Sequence, residues 1–207
     1  MDLNFIFAIA ILIMSVVIHE VSHGYVAQML GDPTARLAGR LTLNPVKHLD
    51  PVGSFLVPVA TYFLGGFIFG WARPVPYNPY NLSNQRWGTA LVAAAGALSN
   101  LFIALVFGLL IRFSDILGIA STAFVEIASL IVLLNLILAV FNMVPIPPLD
   151  GSKVLFSLLP YRFSYIQHFL ERYALILVFF LILFLWRFVL PVVFFLFSLI
   201  TGIGFGA

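Results

Sequence analysis

Three strongly polar residues fall within five consecutive positions of an apolar stretch, as His19-Glu20-Val21-Ser22-His23. On a helix, residues four apart differ by about 40° around the axis, so both imidazoles project from one face and can share a metal. Glu20 is offset by about 100° from His19 and lies beside such a metal, where it could accept a proton from water. This is HExxH, the spacing used by hydrolytic zinc sites. His19 lies about 11 residues, or roughly 16 Å, before the helix stop at Leu30, too deep for a solvated helix end. Ionisable groups at membrane depth are costly and mark functional sites.

A catalytic zinc takes three protein ligands and keeps one position open. The chain has no cysteine, which excludes thiolate ligands and disulfides and leaves His, Asp and Glu. His48 and His168 lie in polar connections and read as solvated. Asp32 and Asp50 flank turns, and Glu126 and Glu171 sit near helix ends. Asp150 stands out. It ends Asn142-Met143-Val144-Pro145-Ile146-Pro147-Pro148-Leu149-Asp150, where prolines break an apolar helix near the membrane.

The elements that must position these groups are hydrophobic. Apolar residues make up 62% of the chain and charged residues 9%, too little polar surface for a globule in water. The apolar blocks are of membrane-spanning length. The expected fold is an all-α membrane protein: a polytopic transmembrane bundle of about five to six hydrophobic segments, with a small membrane-dipping β or re-entrant region after the first helix. One integral-membrane domain, 1–207, is expected, with no room for another. The HExxH helix spans 3–30, the re-entrant or β region 52–80, and further helices 88–111 and 121–143. The Leu-Asp-Gly segment follows at 142–151, and a C-terminal hydrophobic hairpin, or one long kinked helix, at 173–205. The N-terminus lacks the basic region and cleavage site of a signal peptide, so the first helix should be retained.

Charge supplies an orientation. If 52–71 dips in and returns, Arg36, Arg40, Lys47, Arg73, Arg86, Lys153, Arg162 and Arg172 share one face and Arg112 the other. The positive-inside rule makes the rich face cytoplasmic. Asp150 then starts from the side towards which His19 and His23 are displaced. The expectation is a multi-pass protein of the cell membrane with its active site nearer the cytoplasm. The basic residues are dispersed, which speaks for membrane orientation and against nucleic acid.

These residues resemble the site-2 protease family of intramembrane metalloproteases, which pairs HExxH with a later NxxPxPxLDG motif. The match is His19, Glu20 and His23, then Asn142, Pro145, Pro147, Leu149, Asp150 and Gly151. The resemblance implies one Zn2+ per chain, with Asp150 as its third ligand, and Asn142 as a group that binds substrate or stabilises the oxyanion. Gly96-Ala97-Leu98-Ser99-Asn100 is similar to the family's Gly-Pro-x-x-Asn segment, with Ala97 in place of the proline. The resemblance thereby implies a substrate-binding or oxyanion role for Asn100 as well. The resemblance covers about Ile13 to Gly151 and implies a minimal form without PDZ or CBS domain.

The activity expected is peptide-bond hydrolysis within or next to transmembrane segments, with Glu20 as general base. The partners expected are a transmembrane protein substrate and the lipid bilayer, with any regulatory membrane partner unknown. Substrate would pair as an extended strand with Phe67 to Val75. Asn135 and Ser22 read as helix-packing groups, Arg187 as snorkelling, and Trp71 and Trp87 as interfacial anchors. A transporter passing metal or protons through the buried His and Asp is the rival reading, although no internal repeat supports it. A catalytically dead scaffold is a second rival, and the intact Glu20 argues against it.

Overall fold

The computed structural model describes residues 3–50, 53, 56, 63, 72–180, 184 and 186–204. Leu3–Met29 forms one unbroken helix, α1. It contains no proline and is apolar nearly all round, as suits a helix among lipid and other helices. A one-turn helix α2 (Thr34–Leu37) and a 3₁₀ turn (Pro45–His48) follow. The longest helix, α3, is Gln85–Arg112, capped by Asn84 Oδ1, which accepts the Trp87 N–H at 3.0 Å. After the short α4 (Ser114–Leu117), α5 runs from Thr122 to Asn142 and is capped by Ser121. The prolines after Asn142 stop it. Then come α6 (Asp150–Leu158), α7 (Ser164–Arg172), α8 (Ala174–Phe180) and α9 (Trp186–Thr201).

Among the described residues there is no strand, and three helices are long and apolar enough to cross a membrane: Phe5–Met29, Gln85–Arg112 and Thr122–Asn142. The count of five to six is therefore not reached by these elements. Arg187–Thr201 is apolar but shorter. Most of 52–71 lies outside the described residues, and 72–78 has no regular secondary structure. Arg187 and Pro191, which interrupt the apolar C-terminal segment, both lie within α9, while 181–183 and 185, between α8 and α9, lie outside the described residues. The polar connection after Gly151 forms two short helices, α6 and α7, which periodicity over so few residues had not announced.

Helix α3 is the centre of the bundle, packed against α1, α5, α6 and α9. Its buried face carries small residues, among them Ala90, Ala93, Gly96, Ala97, Ala104 and Gly108. Small residues let helix backbones approach closely, the usual basis of association in lipid. Towards the far end, Ala104 meets the fully buried Val132 and Leu136 of α5 and Val193 of α9.

Charged side chains collect at one end of this bundle. The Ser83 N–H donates to Leu30 O at 2.9 Å, so α1 ends beside the start of α3. His48 and Arg73, which flank the undescribed block, are joined by an Arg73 N–H to His48 O bond of 2.8 Å. Both ends of that block thus lie on one side. Arg86 is at this end as well, whereas Arg112 sits at the other, donating to Leu199 O at 2.8 Å.

Candidate metal centre

His19 and His23 sit one turn apart on α1, 5% and 8% exposed, facing α3. Each ring is held by its Nδ1. The Nδ1–H of His23 donates to Val92 O at 2.6 Å, and a carbonyl can only accept. The Nδ1–H of His19 donates to Asn100 Oδ1 at 2.6 Å. Asn100 cannot be turned the other way, because its NH2 donates to Asn135 Oδ1 (2.8 Å) and Ser15 O (3.2 Å). Both Nε2 lone pairs therefore remain for a metal, with the outer nitrogens fixing tautomer and ring orientation.

Asp150 comes from a distant segment of the chain, on a helix that also packs against α3. The turn between α5 and α6, which contains a cis Pro147–Pro148 peptide, places it as the first residue of α6. Gly151 makes this possible: a Cβ there would collide with the Met143 carbonyl. The far end of α6 is fastened to α3 by Arg86, whose guanidinium donates to Ser157 O (2.5 Å) and Leu158 O (2.7 Å). As a result Asp150 Oδ2 lies 3.1 Å from His19 Nε2 and 3.0 Å from His23 Nε2. Its other oxygen accepts from Lys153 Nζ at 3.0 Å. Gly96 forms the floor. A Cβ at that position would come within 2.5 Å of both Nε2 atoms.

Two nitrogens and one carboxylate oxygen, buried and pointing at one spot, fit a zinc ion chemically. Bond lengths of 2.0–2.2 Å at tetrahedral angles put ligand atoms about 3.3 Å apart; the two separations from Asp150 are close to this, and all three ligand atoms lie within 4.8 Å of one another. The site opens into a cavity of about 150 Å³ lined by Glu20, Asn142, Tyr77 and Lys153 as well as the three ligand candidates. Glu20 points into it with Oε2 accepting the Val75 N–H at 2.9 Å. Asn142, the last residue of α5, lines it while its NH2 turns back to Leu138 O. A wider hollow of about 650 Å³ at the turn between α4 and α5 offers Asp115 as its sole ionisable lining group and no comparable chemistry.

The structure thus brings His19, Glu20, His23, Asp150 and Asn142 to one cavity. Asn100 is fully buried behind the His19 ring and is not part of the cavity lining. Asn135, read from the sequence as a packing group, belongs to the same polar chain, and its NH2 donates to Ser15 Oγ at 2.9 Å. His48 is not solvated: it is 1% exposed, with Nε2–H donating to Thr42 O at 2.8 Å. His168 is exposed, as expected. Trp87, 53% exposed at the start of α3, suits an interfacial anchor, and Trp71 lies outside the described residues. Lys153, Gly96, Arg86 and Ser15 were missed. Gly96 was named only as part of the segment similar to Gly-Pro-x-x-Asn, without a role of its own, and Lys153 carried a signal in its i, i+3 spacing from Asp150 on a helix.

Comparison with known proteins identifies relatives of the chain. The family model described as Peptidase family M50 matches residues 111–185. The "Putative zinc metalloprotease YwhC" of Bacillus subtilis is 44% identical over 154 residues, covering 72% of this chain and 67% of that protein. The "Putative zinc metalloprotease Rip2" of Mycolicibacterium smegmatis is 34% identical over 158 residues, and that of Mycobacterium tuberculosis 30% over 161. The chain spans 56% of the length of each Rip2 protein. No solved structure matches significantly. The chain belongs to peptidase family M50, the site-2 protease family of zinc metalloproteases.

Proposed function

We propose that the chain is an intramembrane zinc metalloendopeptidase that hydrolyses peptide bonds within or next to transmembrane segments, as a single integral-membrane domain. One observation carries the reading: Asp150 Oδ2 lies within 3.1 Å of both His19 Nε2 and His23 Nε2 while Glu20 opens into the same small cavity. These three residues would hold the metal. Zinc bound there supplies Lewis acidity, lowering the pKa of a water to about 7 and polarising the scissile carbonyl.

The chain's own residues do the rest. Glu20 accepts the proton of the attacking water and passes it to the leaving amine, with one carboxylate oxygen already steadied by the Val75 amide. Asn142 lines the cavity wall, and its side-chain amide, one N–H of which is bound to Leu138 O, is the group proposed to bind substrate. Asn100, with Asn135 and Ser15 behind it, orients the His19 ring. The site faces the end of the bundle where Arg40, Arg73 and Arg86 gather, so we place it nearer the cytoplasm. His48 and Arg73 meeting at that end supports a re-entrant path for the segment between them. Substrate pairing along Phe67 to Val75 is narrowed by bonds that residues 73 and 75 already make. Residues 67–71 lie outside the described residues, and the backbone of Arg73 and the Val75 amide are already engaged.

The test is purified protein in detergent or vesicles with a panel of membrane-helix substrates. The wild type should bind one zinc and cleave. Glu20→Gln should keep the zinc and lose about 10²-fold or more in rate. Equal cleavage by Glu20→Gln, or a folded wild type that takes up no zinc, sinks the reading.

A further inference from the structure

Arg40 is only 7% exposed, and no step of the proposed reaction uses it. A buried guanidinium is costly unless its hydrogen bonds are made. Those that Arg40 makes go to backbone: one terminal nitrogen donates to Arg73 O at 2.7 Å and, more weakly, to Pro74 O at 3.4 Å, while its buried Nε has no partner among the described residues. Arg73 is fixed a second time by its N–H to His48 O. Five residues on, the Asn78 N–H donates to the Asp32 carboxylate at 2.6 Å. Residues 73–78 therefore form a strap pinned at both ends.

Val75 lies in the middle of the strap, 6% exposed. Prolines flank it at 74 and 76, and a proline has no N–H. The Val75 amide is thus the one backbone donor in Pro74-Val75-Pro76, and it is given to Glu20 Oε2. We propose that Arg40 is a positioning residue for Glu20: by fixing the strap through two carbonyls, it holds the Val75 N–H against the carboxylate and so sets the direction of the free oxygen. This rests on the reading of Glu20 as general base. An arginine that merely stabilises a loop would change folding or strap mobility without selectively changing turnover.

The absence of cysteine gives a clean probe, since Val75→Cys introduces a single thiol and keeps the amide. In that background Arg40→Met should accelerate thiol labelling several-fold, and Arg40→Lys, which can still donate to one carbonyl, should restore slow labelling. With Val75 intact, Arg40→Met should lower kcat about tenfold to a hundredfold. KM for a membrane-helix substrate and zinc stoichiometry should be unchanged, and Arg40→Lys should recover part of kcat. Val75→Pro deletes the donor directly and should reproduce the kcat loss even if Arg40→Met fails to fold. Full kcat in Val75→Pro, or fast labelling in Arg40→Met with undiminished kcat, overturns the proposal while leaving the metal site standing. A zinc-loaded wild type that cleaves nothing overturns the peptidase reading and this inference together.

Discussion

His19 and Asn100 lie 81 positions apart in sequence, yet the Nδ1–H of one donates to Oδ1 of the other at 2.6 Å, with both side chains buried. The bond ties α1 to α3 and decides which nitrogen of His19 can meet a metal. It does not end there. Asn100 hands on to Asn135 of α5, and Asn135 to Ser15, one turn below His19 on α1. Three helices are thus braced by amides whose every alternative is a polar group left unpaired in an apolar interior.

Asn100→Leu should therefore weaken zinc binding by about 10–100-fold, the usual cost of losing such a partner. Asn100→Asp keeps an acceptor for the His19 N–H and should retain most of the affinity while losing the bond to Asn135. Competition with a chelator of known affinity measures both. Equal zinc affinity in Asn100→Leu and wild type would remove the ring-orienting role.

Gly96→Ala should abolish stoichiometric zinc binding while preserving the helix. In a helix interior, alanine is favoured over glycine by roughly 0.5–1 kcal/mol, so loss of α3 would not be the cause. The new methyl would instead stand 2.5 Å from both Nε2 atoms, where the proposed metal would sit. Metal analysis alongside circular dichroism separates the two explanations. Zinc retained at one per chain would mean the ligand atoms are not disposed as described.

Arg86 acts on the site from a distance. Its two bonds to the last carbonyls of α6 hold down a helix whose first residue is Asp150. Hydrogen bonds from a charged donor contribute about 1.5–3 kcal/mol each. Arg86→Met should speed amide exchange along α6 and lower zinc affinity at least about tenfold, with α1 protection unchanged. Unaltered exchange in α6 would show that packing on α3 alone holds it.

How much of this was legible beforehand follows from which interactions are local. HExxH is a spacing on one helix, so His19, Glu20 and His23 declare themselves, and the two later spans do so by length and apolarity. Asp150 was legible because prolines next to a carboxylate at a membrane helix end have few other uses. The Asn100 brace was not, because its geometry depends on the register between α1, α3 and α5, which no single-segment pattern encodes. His48 looked solvated because it stands in a polar stretch, whereas tertiary packing buries it. Gly96 and Arg86 were hidden for the same reason: one is defined by what lies across a helix interface, the other by a helix too short to show a period.

Asp32 offers a prediction in pH. Its carboxylate is fully buried beside the strap, and burial alone would raise its pKa. Hydrogen bonds outweigh that effect: the Thr34 hydroxyl (2.5 Å), the Asn81 NH2 (2.8 Å), and the Asn78 (2.6 Å) and Thr34 (3.2 Å) amides all donate to it, leaving its pKa below the ordinary value of 3.8. A carboxyl depressed in the folded state contributes stability that is fully present above its unfolded pKa. That stability is lost as pH falls through the lower, folded value. Protection of the Asn78 amide against exchange, corrected for intrinsic rates, should therefore hold steady from neutral pH down to about 4 and fall below it. In Asp32→Asn the protection should be weaker at neutral pH and should lose most of this acid dependence. A wild-type profile that stays flat well below pH 4, or a mutant that keeps the same acid fall, would show that another group anchors this end of the strap.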